Sequence, residues 1–148
     1  MPSKIDYTKT QIQFYQFVCK NEGVLNTYVG GTVSWRARKA VHKCNCNNVN
    51  SAGYNLKVYQ IIRANGGWDN WLMIEIHKQL CVDKRDSERV EQSLMNKLKS
   101  DMNSQRAHQT TEELLTYQNQ YQPQYRADNR VLFSSNKKVK HTCCCGGR

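Results

Sequence analysis

The chain has 148 residues, which is enough for one compact domain with an appendage and short for two full domains. Its 22 Lys and Arg residues outnumber 12 Asp and Glu residues, and the formal net charge of +10 favours an anionic partner such as nucleic acid. The N-terminal segment lacks the apolar core of a signal peptide, and no stretch is long and apolar enough for a membrane helix. We therefore expect an intracellular protein that is neither secreted nor inserted in a membrane.

The seven cysteines do not have the even number and regular spacing of a disulfide framework, and three of them are consecutive at positions 143–145. We expect reduced thiols. His42, Cys44 and Cys46 are close in sequence, but H-x-C-x-C is not a usual spacing for a four-ligand zinc site. Ordinary thiols are the simpler interpretation of these two cysteines.

Basic residues are concentrated in the middle of the chain, because no Asp or Glu occurs between Glu22 and Asp69. This segment predicts a basic face that contacts DNA phosphates, although a solvated helix surface has the same composition. The residues that we predict to bind DNA are Arg36, Lys39, Lys43, Lys57 and Arg63.

The first third of the chain has the pattern of a β-hairpin followed by a helix. The apolar run at 12–19 ends in a turn at KNEGVLN, and a second strand-like run begins at Tyr28. Thr32 or Ser34 is placed to cap a helix across WRARKAVHK, which sets Trp35, Arg38 and His42 along one side. The Asn-rich stretch CNCNNVNSAGYN is predicted to be a loop.

The middle of the chain predicts helix, strand and helix in that order. LKVYQIIRAN has helical spacing and is ended by Gly66 and Gly67, and the alternation in WDNWLMIEIH indicates a third strand. A further amphipathic helix is predicted from Asp86 to about Lys99, with Asp86 or Ser87 near its cap. The sum is a small α+β domain whose three-stranded, mostly antiparallel sheet is flanked by helices.

Beyond residue 107 the composition becomes rich in Gln, Asn and Tyr. Tyr117, Tyr121 and Tyr125 have helical spacing, but Pro123 interrupts them, so we predict a frayed helix or a flexible arm. The sequence is thus divided into a domain at 10–107, a helical or flexible tail at 108–140 and a Cys-rich end at 141–148.

Three side chains have the character of a chemical site. Glu91 lies inside the apolar arc of its helix, where a carboxylate needs a cation or strong hydrogen-bond donors, and a salt bridge to a neighbouring Arg would satisfy it equally well. Arg38 and His42 are four residues apart, so they can meet a phosphate together. Such a pair is also common as ordinary surface decoration.

The two predicted strands carry tyrosines in a pattern that resembles the signature of the GIY-YIG endonucleases. Gln13-Phe14-Tyr15 stands where that family has GIY, and Tyr28-Val29-Gly30 stands where it has YIG. Arg38, His42, Glu91 and Asn103 follow in the order and approximate spacing of the further family positions. The likeness covers about residues 10–107 and is greatest to the GIY-YIG nucleases of large double-stranded DNA viruses. Gln13 and Phe14 depart from the family pattern but retain the tyrosine.

The resemblance implies a DNA endonuclease that uses one Mg²⁺ or Mn²⁺ ion, with Glu91 as the protein ligand. It implies that Tyr15 orients or deprotonates the attacking water, with His42 as its hydrogen-bond partner and proton relay. Arg38 would neutralise the scissile phosphate, and Tyr28 would hold a phosphate oxygen. Asn103 would support local structure or a phosphate.

The C-terminal end, with His141 and CCCGGR, resembles the start of the Cys-rich zinc finger found in some viral relatives. The second ligand pair of such a finger is missing, so a truncated or vestigial finger is the expectation, and zinc is a secondary possibility there.

Two other functions compete with an endonuclease. One is a catalytically inactive DNA-binding module with the same fold, and the other is an RNA-binding protein that uses the tyrosine-rich tail for stacking. The sequence leaves the target and the oligomeric state open between a monomer and a transient dimer.

Overall fold

A computed structural model describes residues 5–129 and shows an α+β fold. Strands β1 (Ile12–Cys19), β2 (Tyr28–Thr32) and β3 (Trp71–Gln79) form one antiparallel sheet in the order β2-β1-β3. Helices α1 (Trp35–Asn47) and α2 (Lys57–Ala64) lie between β2 and β3 in the chain, and α3 (Lys84–Lys97) follows β3. The predicted α+β class, antiparallel sheet and order of elements are confirmed.

Both faces of the sheet have buried side chains because residues alternate along β1. On one face Tyr15 and Phe17 belong to the larger core together with Ile62 of α2, and all three side chains are at most 1% exposed. On the other face Ile12 and Phe14 form a smaller core, against which Val90 and Leu94 of α3 pack. The central strand therefore presents successive side chains to two different sets of helices.

Several element boundaries differ from those predicted by the sequence. Helix α1 runs to Asn47, so the first four residues of the expected Asn-rich loop are helical. Ser34 is at the N-cap of α1 without a side-chain bond, and helix α3 begins after Asp83, whose carboxylate accepts from the Asp86 backbone N–H at 2.8 Å. The helix therefore begins two residues before the predicted start at Asp86, and Asp86 lies near the cap, as predicted, as the donor of the cap bond.

The double glycine after α2 ends that helix as the sequence indicates. Gly66 and Gly67 have φ angles of +90° and +76°, which lie in the region that side chains rarely enter. The Gly67 N–H donates to the Ile62 carbonyl at 2.9 Å, and a short 3₁₀ turn at Trp68–Asn70 then leads into β3. The turn brings Trp68 and Trp71 back onto the larger core.

The chain divides into one compact unit up to His108 and a second that begins at Gln109. In the second unit, helix α4 (Thr111–Asp128) begins with a capping box formed by Thr110 and Glu113. Helix α4 continues through Pro123, so the prediction that this proline interrupts the tail was wrong. The Cys-rich end at 141–148 lies outside the described residues. Within residues 5–129 no helix is long and apolar enough to cross a membrane.

Arg63 of α2 has a structural position. Its Nη1 and Nη2 atoms donate to the carbonyls of Cys46 and Tyr54 at 3.1 and 2.8 Å, and the guanidinium lies 3.7 Å from the centre of the Tyr54 ring. Arg63 thus links both the end of α1 and the 48–56 loop to α2. The two hydrogen bonds and the ring contact together require a planar, forked cation.

We therefore predict that Arg63→Lys lowers the free energy of unfolding by about 1–2 kcal/mol, although it retains the charge. Urea denaturation followed by circular dichroism measures this change. Arg36→Lys, at an exposed position on α1, is the matched control and should leave stability unchanged. Equal stabilities for the two variants would contradict the structural role of Arg63.

Candidate active site

The candidate site is built where two glycines replace side chains on the edge strand β2. Tyr15 pairs with Gly30 across the sheet, and a Cβ atom on Gly30 would lie only 2.6 Å from the Tyr15 hydroxyl oxygen. A Cβ atom on Gly31 would lie 3.0 Å from Oε2 of Glu91. Because successive strand residues point to opposite faces, the two glycines let Tyr15 and Glu91 approach the same edge from opposite sides of the sheet.

A buried histidine connects Tyr15 to helix α2. The Tyr15 hydroxyl is 2.6 Å from Nε2 of His42, and Nδ1 of His42 is 2.8 Å from the hydroxyl of Tyr59. Both tyrosines and His42 are at most 3% exposed. The ring of Trp68 stacks on His42 with a centroid distance of 6.3 Å, so the imidazole is fixed by packing as well as by hydrogen bonds.

The direction of these hydrogen bonds follows from the group behind Tyr59. Ser51 donates to Oδ1 of Asn45, and Nδ2 of Asn45 donates to the Tyr59 hydroxyl. Tyr59 then has its own proton to donate to Nδ1 of His42, because a second accepted bond would leave that buried proton without a partner. Nε2 of His42 therefore carries the ring proton and donates to the oxygen of Tyr15.

Burial sets the ionisation of these groups. Desolvation, together with the positive charge of Arg38, lowers the pKa of His42 to about 4, so the ring is neutral at pH 7. Burial raises the pKa of Tyr15 well above its ordinary value, while Arg38 opposes that rise. Burial also raises the pKa of Tyr28 to about 12, and a hydrogen bond with Tyr15 opposes it. The tyrosines are therefore neutral until positive charge is brought to the site.

Glu91 is partly buried and has no ion pair within the described part of the chain. Burial raises the pKa of its carboxyl group, and the Gly31 backbone N–H and the charge of Arg38 act against this rise. The expected alternative, a salt bridge from Glu91 to an Arg, is not formed within residues 5–129. The carboxylate thus accepts from the Gly31 N–H and has no cation within 4.0 Å in residues 5–129, which leaves a hard oxygen ligand at the glycine edge of the sheet.

Five of the six predicted catalytic residues lie around this edge of the sheet: Tyr15, Tyr28, Arg38, His42 and Glu91. Asn103 has a different position. Its amide donates to the Val29 carbonyl at 2.8 Å and accepts from the Val29 N–H at 2.9 Å. Asn103 therefore acts like a paired strand residue that holds β2, which agrees with the expected support of local structure.

The residues predicted to bind DNA are separated by the fold. Arg36, Lys39 and Lys43 share one exposed face of α1. Lys57 instead donates to the carbonyl of Asp101 at 2.6 Å, and the guanidinium of Arg63 is used by the loop contacts described above. The basic segment therefore forms one exposed cationic face on α1, whereas Lys57 and Arg63 donate hydrogen bonds to backbone carbonyls and stabilise loops.

Sequence reasoning missed Tyr59, Asn45 and Ser51, which together orient His42. Tyr59 lies on the apolar face of α2, and the need of a buried tyrosine hydroxyl for a partner is the signal that identifies it. For metals, the described residues contain no group of three His, Cys, Asp or Glu side chains placed to hold an ion. Neither Cys44, which is exposed, nor Cys46, which is buried, forms a disulfide.

Comparison of the chain with protein-family models, with curated proteins and with solved structures gave no match.

We predict that Gly30→Ala lowers the free energy of unfolding by about 1–3 kcal/mol, because the added methyl group would overlap the Tyr15 hydroxyl. Urea denaturation of the purified variant measures this. Gly23→Ala is the control, since a Cβ atom there meets nothing within 4 Å. If both alanines were tolerated equally, the close approach of Tyr15 to β2 would be wrong.

We also predict that His42 makes the fold sensitive to acid. The unfolded chain takes up a proton near pH 6.5 and the folded chain only near pH 4, so stability is complete above about pH 6.5 and falls between these values. The loss is roughly 3 kcal/mol by pH 4. The raised pKa of Glu91 acts in the opposite direction, because the folded state then binds that proton first.

The measurement is the free energy of unfolding between pH 7 and pH 4 for the wild type and for His42→Gln. The difference between the two curves isolates His42 from the other titrating groups. A wild-type curve that ran parallel to the variant curve would show that His42 does not contribute.

Proposed function

We propose that this protein is a metal-dependent DNA endonuclease of the GIY-YIG type. The observation that carries the proposal is the convergence of two tyrosine hydroxyls, a neutral histidine, an arginine and a partly buried carboxylate that has no ion pair in residues 5–129, around Gly30 and Gly31. Phosphodiester hydrolysis needs an oriented water, positive charge at the phosphoryl oxygens and help for the leaving oxygen. This arrangement provides a group suited to each requirement.

The residues present fit a single Mg²⁺ or Mn²⁺ ion. Mg²⁺ is commonly held by one or two carboxylates, with waters and substrate phosphate oxygens as its remaining ligands. Glu91 provides such a carboxylate without a competing cation within 4.0 Å in residues 5–129. When bound, the ion supplies charge stabilisation to the phosphate and lowers the pKa of coordinated water.

In this proposal Tyr15 orients the attacking water through its hydroxyl oxygen. The N–H of His42 donates to that oxygen and holds the Tyr15 hydroxyl in place, so Tyr15 keeps its own proton and orients the water by hydrogen bonding. Arg38 is exposed on α1 and its positive charge favours the ionised forms of Tyr15 and Tyr28. The same charge would hold the scissile phosphate, and Tyr28 would donate to one of its oxygens.

An inactive DNA-binding module with this fold is the competing proposal. It is favoured by the exposed cationic face of α1, which would bind phosphates whether or not the site turns over. It does not account for the partly buried carboxylate of Glu91 at the glycine edge, because a negative charge there only weakens binding to an anion.

The test is incubation of supercoiled plasmid with the purified protein and Mg²⁺ or Mn²⁺. We expect nicking by the wild type, loss of activity in excess EDTA, and a decrease of about 10²-fold or more in Arg38→Ala and Glu91→Ala. Arg85→Ala removes an exposed charge elsewhere, on α3, and should retain activity. Circular dichroism and urea denaturation verify that each variant is folded.

A folded wild type that shifted the plasmid in a gel but left it intact with both metals would reject the enzyme in favour of the binding module. Activity that survived in Glu91→Ala would reject the assignment of the metal ligand.

A further inference from the structure

A cleft of about 740 Å³ lies beside the candidate active site, between α1 and the turn that leads into β3. All three tryptophans of the chain line this cleft: Trp35, Trp68 and Trp71. Trp35 and Trp68 also contact the site, because Trp35 packs edge-on against Tyr15 at 5.8 Å and Trp68 stacks on His42. Trp68 and Trp71 are only 8% and 6% exposed, so the partly buried Trp35 presents most of the aromatic surface in the cleft.

The same cleft has an excess of positive charge. Arg36, Lys39 and Lys43 lie at positions i, i+3 and i+7 of α1, and none forms an ion pair with a carboxylate of the described residues. Lys20 also lines the cleft but donates to the Asp69 carbonyl at 2.7 Å, and Asp69 provides the one carboxylate of the lining. Three unpaired cations along one helix face favour a polyanion over a single small ion.

One donor in the cleft wall lacks an acceptor. Trp71 is 6% exposed, and its Nε1 atom has no hydrogen-bond partner in residues 5–129. A buried indole N–H normally has a partner, and leaving it unpaired costs about 1–3 kcal/mol. The Nε1 atom itself is inaccessible to solvent, so its missing partner is a cost to the fold and not a contact for a ligand.

We infer that this cleft binds a single-stranded DNA segment next to the scissile phosphate. The inference rests on the proposed function in taking DNA as the substrate. A cleft of this volume has the size of a small-ligand site, so a duplex would contact only its rim. In a duplex the faces of the bases are stacked inside, whereas an unpaired base can stack on the partly exposed ring of Trp35 while lysines and arginines follow the backbone.

The consequence is a substrate class. The endonuclease would favour DNA with an unpaired strand beside the cleavage site, such as a flap, a gap or a branch, over continuous duplex. The two kinds of contact also predict different effects: stacking in the cleft responds to unpaired bases, and the cations of α1 respond to salt.

The tryptophans provide a direct probe, since the intrinsic indole fluorescence of this protein arises only from the cleft. The full chain is titrated in EDTA with a 12-nucleotide oligothymidine (about one single-strand binding site) and with a duplex of equal length. We expect the oligothymidine to bind at least about tenfold more tightly and to quench the fluorescence, since base stacking on an aromatic ring is a strong and sequence-tolerant contact.

The charge test compares two double variants that remove the same net charge. Lys39→Gln with Lys43→Gln acts in the cleft, and Lys78→Gln with Lys97→Gln removes exposed lysines elsewhere. The cleft variant should bind oligothymidine about tenfold more weakly, with a salt slope reduced by about 1.4, since each phosphate contact on a single strand contributes about 0.7. The control should match the wild type.

Equal quenching and affinity with the duplex, tighter binding of oligouridine than of oligothymidine, or equal losses in the two double variants would each overturn the inference. Failure of the proposed function is a separate result. If the protein cleaves plasmid but fails these tests, only the inference about the cleft is rejected. If it passes them without cleaving, it is a single-strand binding protein and the proposed endonuclease activity is rejected.

Discussion

The structure depends on the close approach of the Tyr15 hydroxyl to the glycine edge of β2. Gly30 leaves room for that hydroxyl, and Gly31 leaves room for the carboxylate of Glu91 from the other face of the sheet. A side chain at Gly30 would displace the Tyr15 hydroxyl, and one at Gly31 would displace the Glu91 carboxylate, because protein interiors are close-packed. The pairing of β1 with β2 is therefore a condition for both the core and the candidate site.

The same approach explains why the polar groups of the site are built into the core. Tyr15 and His42 are almost fully buried, so their hydroxyl and ring nitrogens must be satisfied inside the protein. The chain of donors from Ser51 through Asn45 and Tyr59 satisfies them and gives His42 one tautomer. The hydrogen bonds that stabilise the core are thus also those that orient the candidate site. A substitution at Tyr59 or Asn45 is therefore expected to alter the hydrogen bond between His42 and Tyr15.

Charge is arranged in two separate regions around this core. Arg38 faces the tyrosines and Glu91, where its charge opposes the effects of burial on their ionisation. Lys39 and Lys43 lie on a different side of α1 and face the tryptophan cleft instead. Because α1 carries both sets, a substrate strand in the cleft and a phosphate at the site would be fixed by one rigid element.

The sequence by itself determined the α+β class, the order of the elements, the helix stop at Gly66 and the inward position of Glu91, because these follow from local periodicity and backbone preference. Only the tertiary structure decided which basic residues are exposed, since Arg63 is used by loop carbonyls. It also decided that Tyr59 contacts His42. Contacts between residues far apart in the chain depend on how the helices pack on the sheet. The spacing of residues within one segment does not predict that packing.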